Sequence, residues 1–295
     1  MSNAGSAATA ASSRAVARAD AQGRVRWELL AGLIRKDLKV KYQGSTLGFL
    51  WSLANPLLLL AVYSFVFQVV FKSGIPSFGI YLMSGLLIWN AFSTAVSYAS
   101  GCVVANAGLV KKVRFPLQVL PLSSVGFAAV HFVLQMAVLV VVMLVTGFDF
   151  LGSQLILIAP ALAVAVTFSI GLGYLVAALN VRYRDTAHLV EVSMIAWFWL
   201  NPCVYGAGLV RDHLHQWFWL YFLNPMAGVV CAFQRALYKA PFYTDATGSR
   251  KQLLADPGNL YYLKMLGIGA IISIVVYLFG QRVFRRLSAD FAEEL

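Results

Sequence analysis

Charge is scarce in this chain. Only 12% of its 295 residues are Asp, Glu, Lys or Arg, about half the share found in soluble domains. Acidic groups are the scarcer sign, 12 Asp and Glu beside 23 Lys and Arg. Cysteine is limited to Cys102, Cys203 and Cys231, odd in number, far apart and without a Cys-x-x-Cys pair, so no disulfide framework or zinc site is signalled. Each reads as a small buried apolar residue. No Gly-Lys dipeptide occurs, which excludes a phosphate-cradling Gly-x-x-x-x-Gly-Lys-Ser/Thr loop and with it ATP hydrolysis by this chain alone. Asp-x-Asp, Gly-x-Ser-x-Gly and His-Glu-x-x-His are also missing. A membrane-embedded glycosyltransferase or acyltransferase would lack its acid, base and metal, and proton-coupled transport would lack an acidic relay.

Apolar residues fill the space that charge leaves: 60% of the chain is hydrophobic, with a mean hydropathy of +0.75. The charges avoid the apolar runs, as they must where each costs roughly 2.5–3.5 kcal/mol at the centre of a bilayer. Six runs approach or exceed the ~20 residues that a crossing needs: 52–72, 80–104, 117–147, 154–179, 189–208 and 258–281. Short alternating strands of the outer-membrane barrel type are absent. The fold class is an all-α integral membrane protein with six transmembrane helices, forming one membrane domain over 51–295. Residues 1–22, rich in Ala, Ser and Arg with no apolar core, read as a disordered tail rather than a signal or a span.

Lys and Arg gather on one side if the spans alternate. They precede the first span (Arg14 to Lys41), lie between the second and third (Lys111, Lys112, Arg114) and between the fourth and fifth (Arg182, Arg184), and follow the sixth (Arg282, Arg285, Arg286). Excess positive charge marks the cytoplasmic side, so both termini of this multi-pass chain are expected there. The net charge of +11 is met by topology and anionic headgroups. Nucleic-acid binding has no support, because no basic patch is interleaved with exposed aromatics.

Three extramembrane segments carry pattern. Residues 23–50 form an amphipathic helix with Trp27, Leu30, Ile34 and Leu38 on one stripe and Arg35, Lys36 and Lys39 opposite, so it is either an interfacial anchor or a docking surface for a cytoplasmic subunit. Asp37, Lys41 and Tyr42 continue its polar side. Span one follows, with Asn55-Pro56 in its first turn. The connection 105–121 is breaker-bounded: Asn106-Ala107-Gly108, then Leu109, Val110, Lys111, Lys112, Val113, Arg114 and Phe115, then Pro116 and Pro121. A short basic helix held between breakers is a rigid knob suited to a protein contact. The opposite side has one long segment, 209–257. It holds Trp217, Trp219 and Tyr221, which prefer the headgroup level, then an amphipathic piece from Val229 to Tyr238 with Arg235, then a polar loop from Thr244 to Asn259. These read as re-entrant or interfacial helices.

Tyr63, Phe67 and Phe71 share a face of span one, and Trp197 and Tyr205 belong to an aromatic crowd in span five. Such faces can stack on sugar rings, or simply serve packing and the lipid belt. His131, mid-span, reads as an imidazole bonded to a neighbouring helix. Glu191 is placed to pair with Arg182 or Arg184. His213 and His215, two residues apart, diverge on a helix and gain no carboxylate or Cys partner, so no metal site is expected.

Four sets of residues carry a resemblance. They are Lys41-Tyr42-Gln43-Gly44-Ser45-Thr46-Leu47-Gly48 with Trp51 and Asn55-Pro56; Val110 to Pro116 with Pro121-Leu122; Asn180-Val181-Arg182-Tyr183-Arg184-Asp185; and Asn224-Pro225-Met226 with Phe233-Gln234-Arg235. In this order over nearly the whole chain, they resemble the ABC-2 membrane subunits that export lipid-linked polysaccharides such as O-antigen, capsule, teichoic acid and galactan. Gly44 stands where family members often carry Arg or Gln, and Gln118 where a basic residue is common. The resemblance implies the ABC-2 (type V exporter) fold, a homodimer, and two copies of a separate ATPase subunit that bind and hydrolyse ATP with Mg, no cofactor being held by this chain. It implies that 23–50 is an interface helix, that Leu109–Phe115 is a coupling helix seated in the ATPase, and that spans one and five frame a conduit (Tyr63, Phe67, Phe71, Trp197, Tyr205). Trp217, Trp219, Tyr221 and Arg235 would then stand at an outer gate. The competing substrate class is a small hydrophobic compound or drug.

Overall fold

The computed structural model describes residues 27–45, 51–70, 75–113, 115–238, 242–244, 250–254 and 258–295. The expected tail 1–22, Thr46–Gly48, Phe71 and Arg114 lie outside the described residues.

Helix α1 covers 27–42. Helix α2 (Trp51–Ser64) continues as a π-helical stretch, Phe65–Val70. It starts a turn earlier than the breaker Asn55-Pro56 suggests, so Pro56 sits inside the helix, where its missing N–H removes one ladder bond. Then come α3 (Phe78–Ala105), the short α4 (Ala107–Lys112), α5 (Val119–Val145), a 3-10 turn (Ser153–Leu157) and α6 (Ile158–Arg182). The second half comprises α7 (Thr186–Trp199), α8 (Ala207–Leu214), a 3-10 segment (His215–Leu223), α9 (Pro225–Tyr238), α10 (Asn259–Leu287) and α11 (Phe291–Glu294).

Four of the six expected spans, α3, α5, the run Ser153–Arg182 and α10, are long and apolar enough to cross a bilayer. The fifth departs from expectation. At 14 residues α7 reaches only about 21 Å, short of the ~30 Å hydrocarbon core. It stops at Trp199, just before Asn201-Pro202, because the ring of Pro202 cannot join the ladder. The loop expected from Thr244 is partly a two-stranded antiparallel hairpin, β1 (Phe242–Thr244) with β2 (Arg250–Gln252). Leu253 and Leu254 after it are buried, and the Leu253 carbonyl approaches the start of α8 at Gly206.

The core forms around α3 and α9. Every residue of α9 is buried, and the helix packs against α3, α6 and α10. It is therefore an enclosed helix, where an amphipathic interfacial one was expected. Helices α6 and α10 cross in backbone contact: a Cβ at Gly280 would strike the Gly171 carbonyl, and one at Gly171 would lie 2.6 Å from the Tyr277 nitrogen. Small residues are what allow helices to approach this closely in lipid, where packing rather than water exclusion drives association.

Candidate functional site

At one end of the bundle, six helices share a small second core. Leu33 of α1, Cys102 and Val103 at the end of α3, Val119 and Leu120 opening α5, Tyr174, Ala177, Ala178 and Val181 closing α6, Phe284 of α10 and Phe291 of α11 are buried together. Val110 and Phe115, on either side of the basic pair Lys111 and Lys112, pack against this core. Helix α4 also rests on α11. The six-residue α4 is thus pinned on its apolar side, while Leu109, Lys111, Lys112 and Val113 are exposed. Phe115 is a root of the knob rather than part of its outward face.

Helix α1 joins the same corner by most of the stripe expected from its sequence: Leu30 packs against the second core, and Ile34 and Leu38 are half-buried. Trp27 is the exception at 70% exposed, and Leu33 takes the buried position. Ile34 presses on Gly126 of α5, which has no side chain to resist it. The Lys36 ammonium donates to Asn106 Oδ1 at 2.6 Å and also lies 3.2 Å from Asp37. Asn106 in turn donates to the Cys102 carbonyl at 2.7 Å, so α1, α3 and α4 meet at one amide. Arg35 and Lys39 stay exposed. Further along, Lys41 and Tyr42 flank the two nitrogens of His131 at 3.4 and 3.5 Å, with Lys41 also 5.3 Å from the centre of the Phe127 ring. His131 is buried and does contact a neighbouring helix, the partner being α1. Glu191 pairs with His188 at 3.9 Å on an exposed surface, in place of the arginines suggested by sequence; Arg182 stacks over Tyr183 instead.

At the opposite end, a polar network closes the gap left by the truncated α7. Trp197 donates its indole N–H to Asn224 Oδ1 (3.2 Å), Asn224 donates to Asn201 Oδ1 (3.0 Å), and Asn201 donates back to the Trp197 carbonyl (2.6 Å). Gln234 of α9 donates to the Pro202 carbonyl at 2.6 Å, satisfying the group that the proline break exposes. The Tyr81 hydroxyl caps the Tyr205 carbonyl at 3.0 Å, and the Tyr205 hydroxyl donates to the Trp199 carbonyl at 2.9 Å while meeting Tyr221 at 3.2 Å. Sequence reasoning missed Asn201, Asn224 and Gln234 as a group. The available signal was two Asn-Pro dipeptides, at 201 and 224.

The aromatic residues singled out from sequence divide in two. Trp197 turns inward, edge-on to Phe92 at 5.4 Å and Phe168 at 5.9 Å, and Phe67 stacks on Phe78 at 4.3 Å with Tyr63 beside it. Trp217 and Trp219 are each 55% exposed while Phe218 and Phe222 of the same segment are buried. Tyr221 is half-buried and Arg235 is buried on α9. The exposed face of α7 is formed instead by Leu189, Val192, Ile195 and Trp199. Among the described residues no group of three or more His, Cys, Asp or Glu could hold a metal ion.

Comparison with known proteins yields a family match over residues 28–238, to the model described as ABC-2 type transporter. The O-antigen export system permease protein RfbA of Myxococcus xanthus is 32% identical over 267 residues, covering 90% of this chain and 95% of the relative. The Klebsiella pneumoniae protein of the same name is 31% identical over 270 residues, covering 91% and 95%.

Proposed function

Because the chain belongs to the ABC-2 type transporter family, we propose that it is the membrane permease subunit of an ATP-driven exporter of lipid-linked polysaccharide. The observation that carries this reading is the corner where α4 is rooted in the second core with its basic face outward, joined to α1 through Lys36 and Asn106. A knob held this firmly can pass a push from a partner into α3, α5 and α10 without bending. The RfbA relatives, matched over almost their whole length, favour a polysaccharide over a drug as cargo. In this reading two such subunits pair, each above one ATPase, with the basic end and both termini cytoplasmic in a bacterial inner membrane. ATP and Mg are consumed by the partner, whose binding step favours one of two arrangements of these helices. Spans one and five frame the path, and the break after Trp199, with the Trp217–Trp219 segment, forms the outer closure.

The test is depletion of the protein in its host. Long lipid-linked glycan is expected to accumulate inside, and an ATPase is expected to co-purify with the tagged chain. Unchanged glycan with altered sensitivity to hydrophobic drugs would reject the cargo assignment.

A further inference from the structure

A second feature of the basic end lies apart from the knob. At the close of α10, Arg282, Arg285 and Arg286 line a cleft of about 540 Å³ with Leu278 and Gln281. Positions i, i+3 and i+4 bring the three guanidinium groups to one side of the helix. All three are exposed. Gln281 is engaged with the Tyr277 hydroxyl at 3.3 Å. Among the described residues, no carboxylate of Asp290, Glu293 or Glu294 lies within ion-pair distance of these arginines.

The cleft continues a stripe of the same helix. Ile271, Ile274, Val275 and Leu278 are all at least half exposed, an apolar surface suited to hydrocarbon in a membrane. Leu278 belongs to both stripe and cleft. Ile274 in turn borders an apolar groove of about 360 Å³ between α6 and α10, lined by Val164, Thr167, Leu266 and Ala270 among others. That groove lies on the far side of the Gly171–Gly280 crossing from the arginines. From Arg285 to Ile274 the helix rises about 16 Å, close to the ~15 Å hydrocarbon depth of one leaflet.

We propose that the end of α10 is a binding site for one anionic phospholipid of the inner leaflet, its phosphate held by Arg282, Arg285 and Arg286 and an acyl chain running along Leu278 to the groove at Ile274. Guanidinium forks match phosphate geometry bidentately, which a lone topological charge would not require. Positive-inside topology needs basic residues near a span; it does not need three on one side of a helix above an open apolar track. The site rests on the cytoplasmic placement of the basic end. It is independent of the cargo, and it sits away from spans one and five.

Native mass spectrometry of the purified full-length permease, titrated with phosphatidylglycerol or phosphatidylcholine of equal chain length, tests this. The wild type is expected to retain one phosphatidylglycerol in preference to phosphatidylcholine. Replacing all three arginines by Gln is expected to weaken that adduct roughly a hundredfold, about 1 kcal/mol being lost per basic residue. The triple Lys variant, which keeps charge and folding signals but loses the bidentate fork, is expected to hold the lipid with a strength between the two. Added inorganic phosphate is expected not to displace the lipid, since it cannot use the apolar track. No preference for the anionic lipid, or displacement by free phosphate, overturns the proposal. So does a Gln variant that binds as tightly as the wild type, and so does one that loses only its ATPase partner while keeping its lipid.

Discussion

Asn224 shows how much a single amide can hold in a protein with little charge to spend. It accepts from the Trp197 indole and from the Met226 backbone N–H and donates to Asn201, tying the end of α7 to the start of α9. Removing it leaves the Trp197 and Asn201 groups without partners in a half-buried setting, at about 1–3 kcal/mol for each stranded group. Asn224→Ala is therefore expected to lower the thermal unfolding midpoint in detergent, and Trp197→Phe, which keeps the ring but loses the donor, to lower it less. Equal midpoints for Asn224→Ala and the wild type would remove the network from the account of how the break is held.

Among the elements, α4 is the one whose two faces do different work. Lys111 and Lys112 are exposed, whereas Val110 and Phe115 pack against the second core. Lys111→Asp is expected to leave insertion and thermal stability unchanged while abolishing stimulation of the partner's ATPase by cargo. Phe115→Asp is expected to lose coupling and stability together, since a carboxylate would replace a ring packed against the second core. Full export activity in the Lys111 variant would refute the docking role of the helix. The breakers around 105–121 foretold a short basic helix but placed it two residues late: α4 runs Ala107–Lys112, taking in Gly108 and ending before Phe115. Its inward side was not legible, because Val110 and Phe115 flank the lysines in sequence and only the fold shows which direction is inward.

For the whole molecule, the prediction is dependence. Vesicles reconstituted with this chain alone are expected to move no lipid-linked glycan with ATP present, and to do so once the ATPase subunit is included. Transport by the chain alone, measured as glycan exposed to an external glycosidase, would contradict the division of labour. The long apolar helices and the basic end were legible from residue counts, because span length and charge exclusion are imposed by the bilayer on any sequence. The fifth helix was not, since its apolar run continues past Trp199 and hydropathy cannot see that Pro202 ends the ladder there.

What the amino-acid order settled by itself is where the chain can meet lipid and which end stays with the positive charge: both follow from the cost of moving polar groups into hydrocarbon, which is paid residue by residue. What only the tertiary structure decided is which residues carry a load. Leu33 rather than Trp27 roots α1, Trp197 faces the core, α9 is wholly enclosed, and Gly171 meets Gly280. Each of these depends on a partner distant in sequence, and in a chain that is apolar nearly everywhere the pattern of hydrophobicity no longer distinguishes a face packed on protein from one turned to lipid.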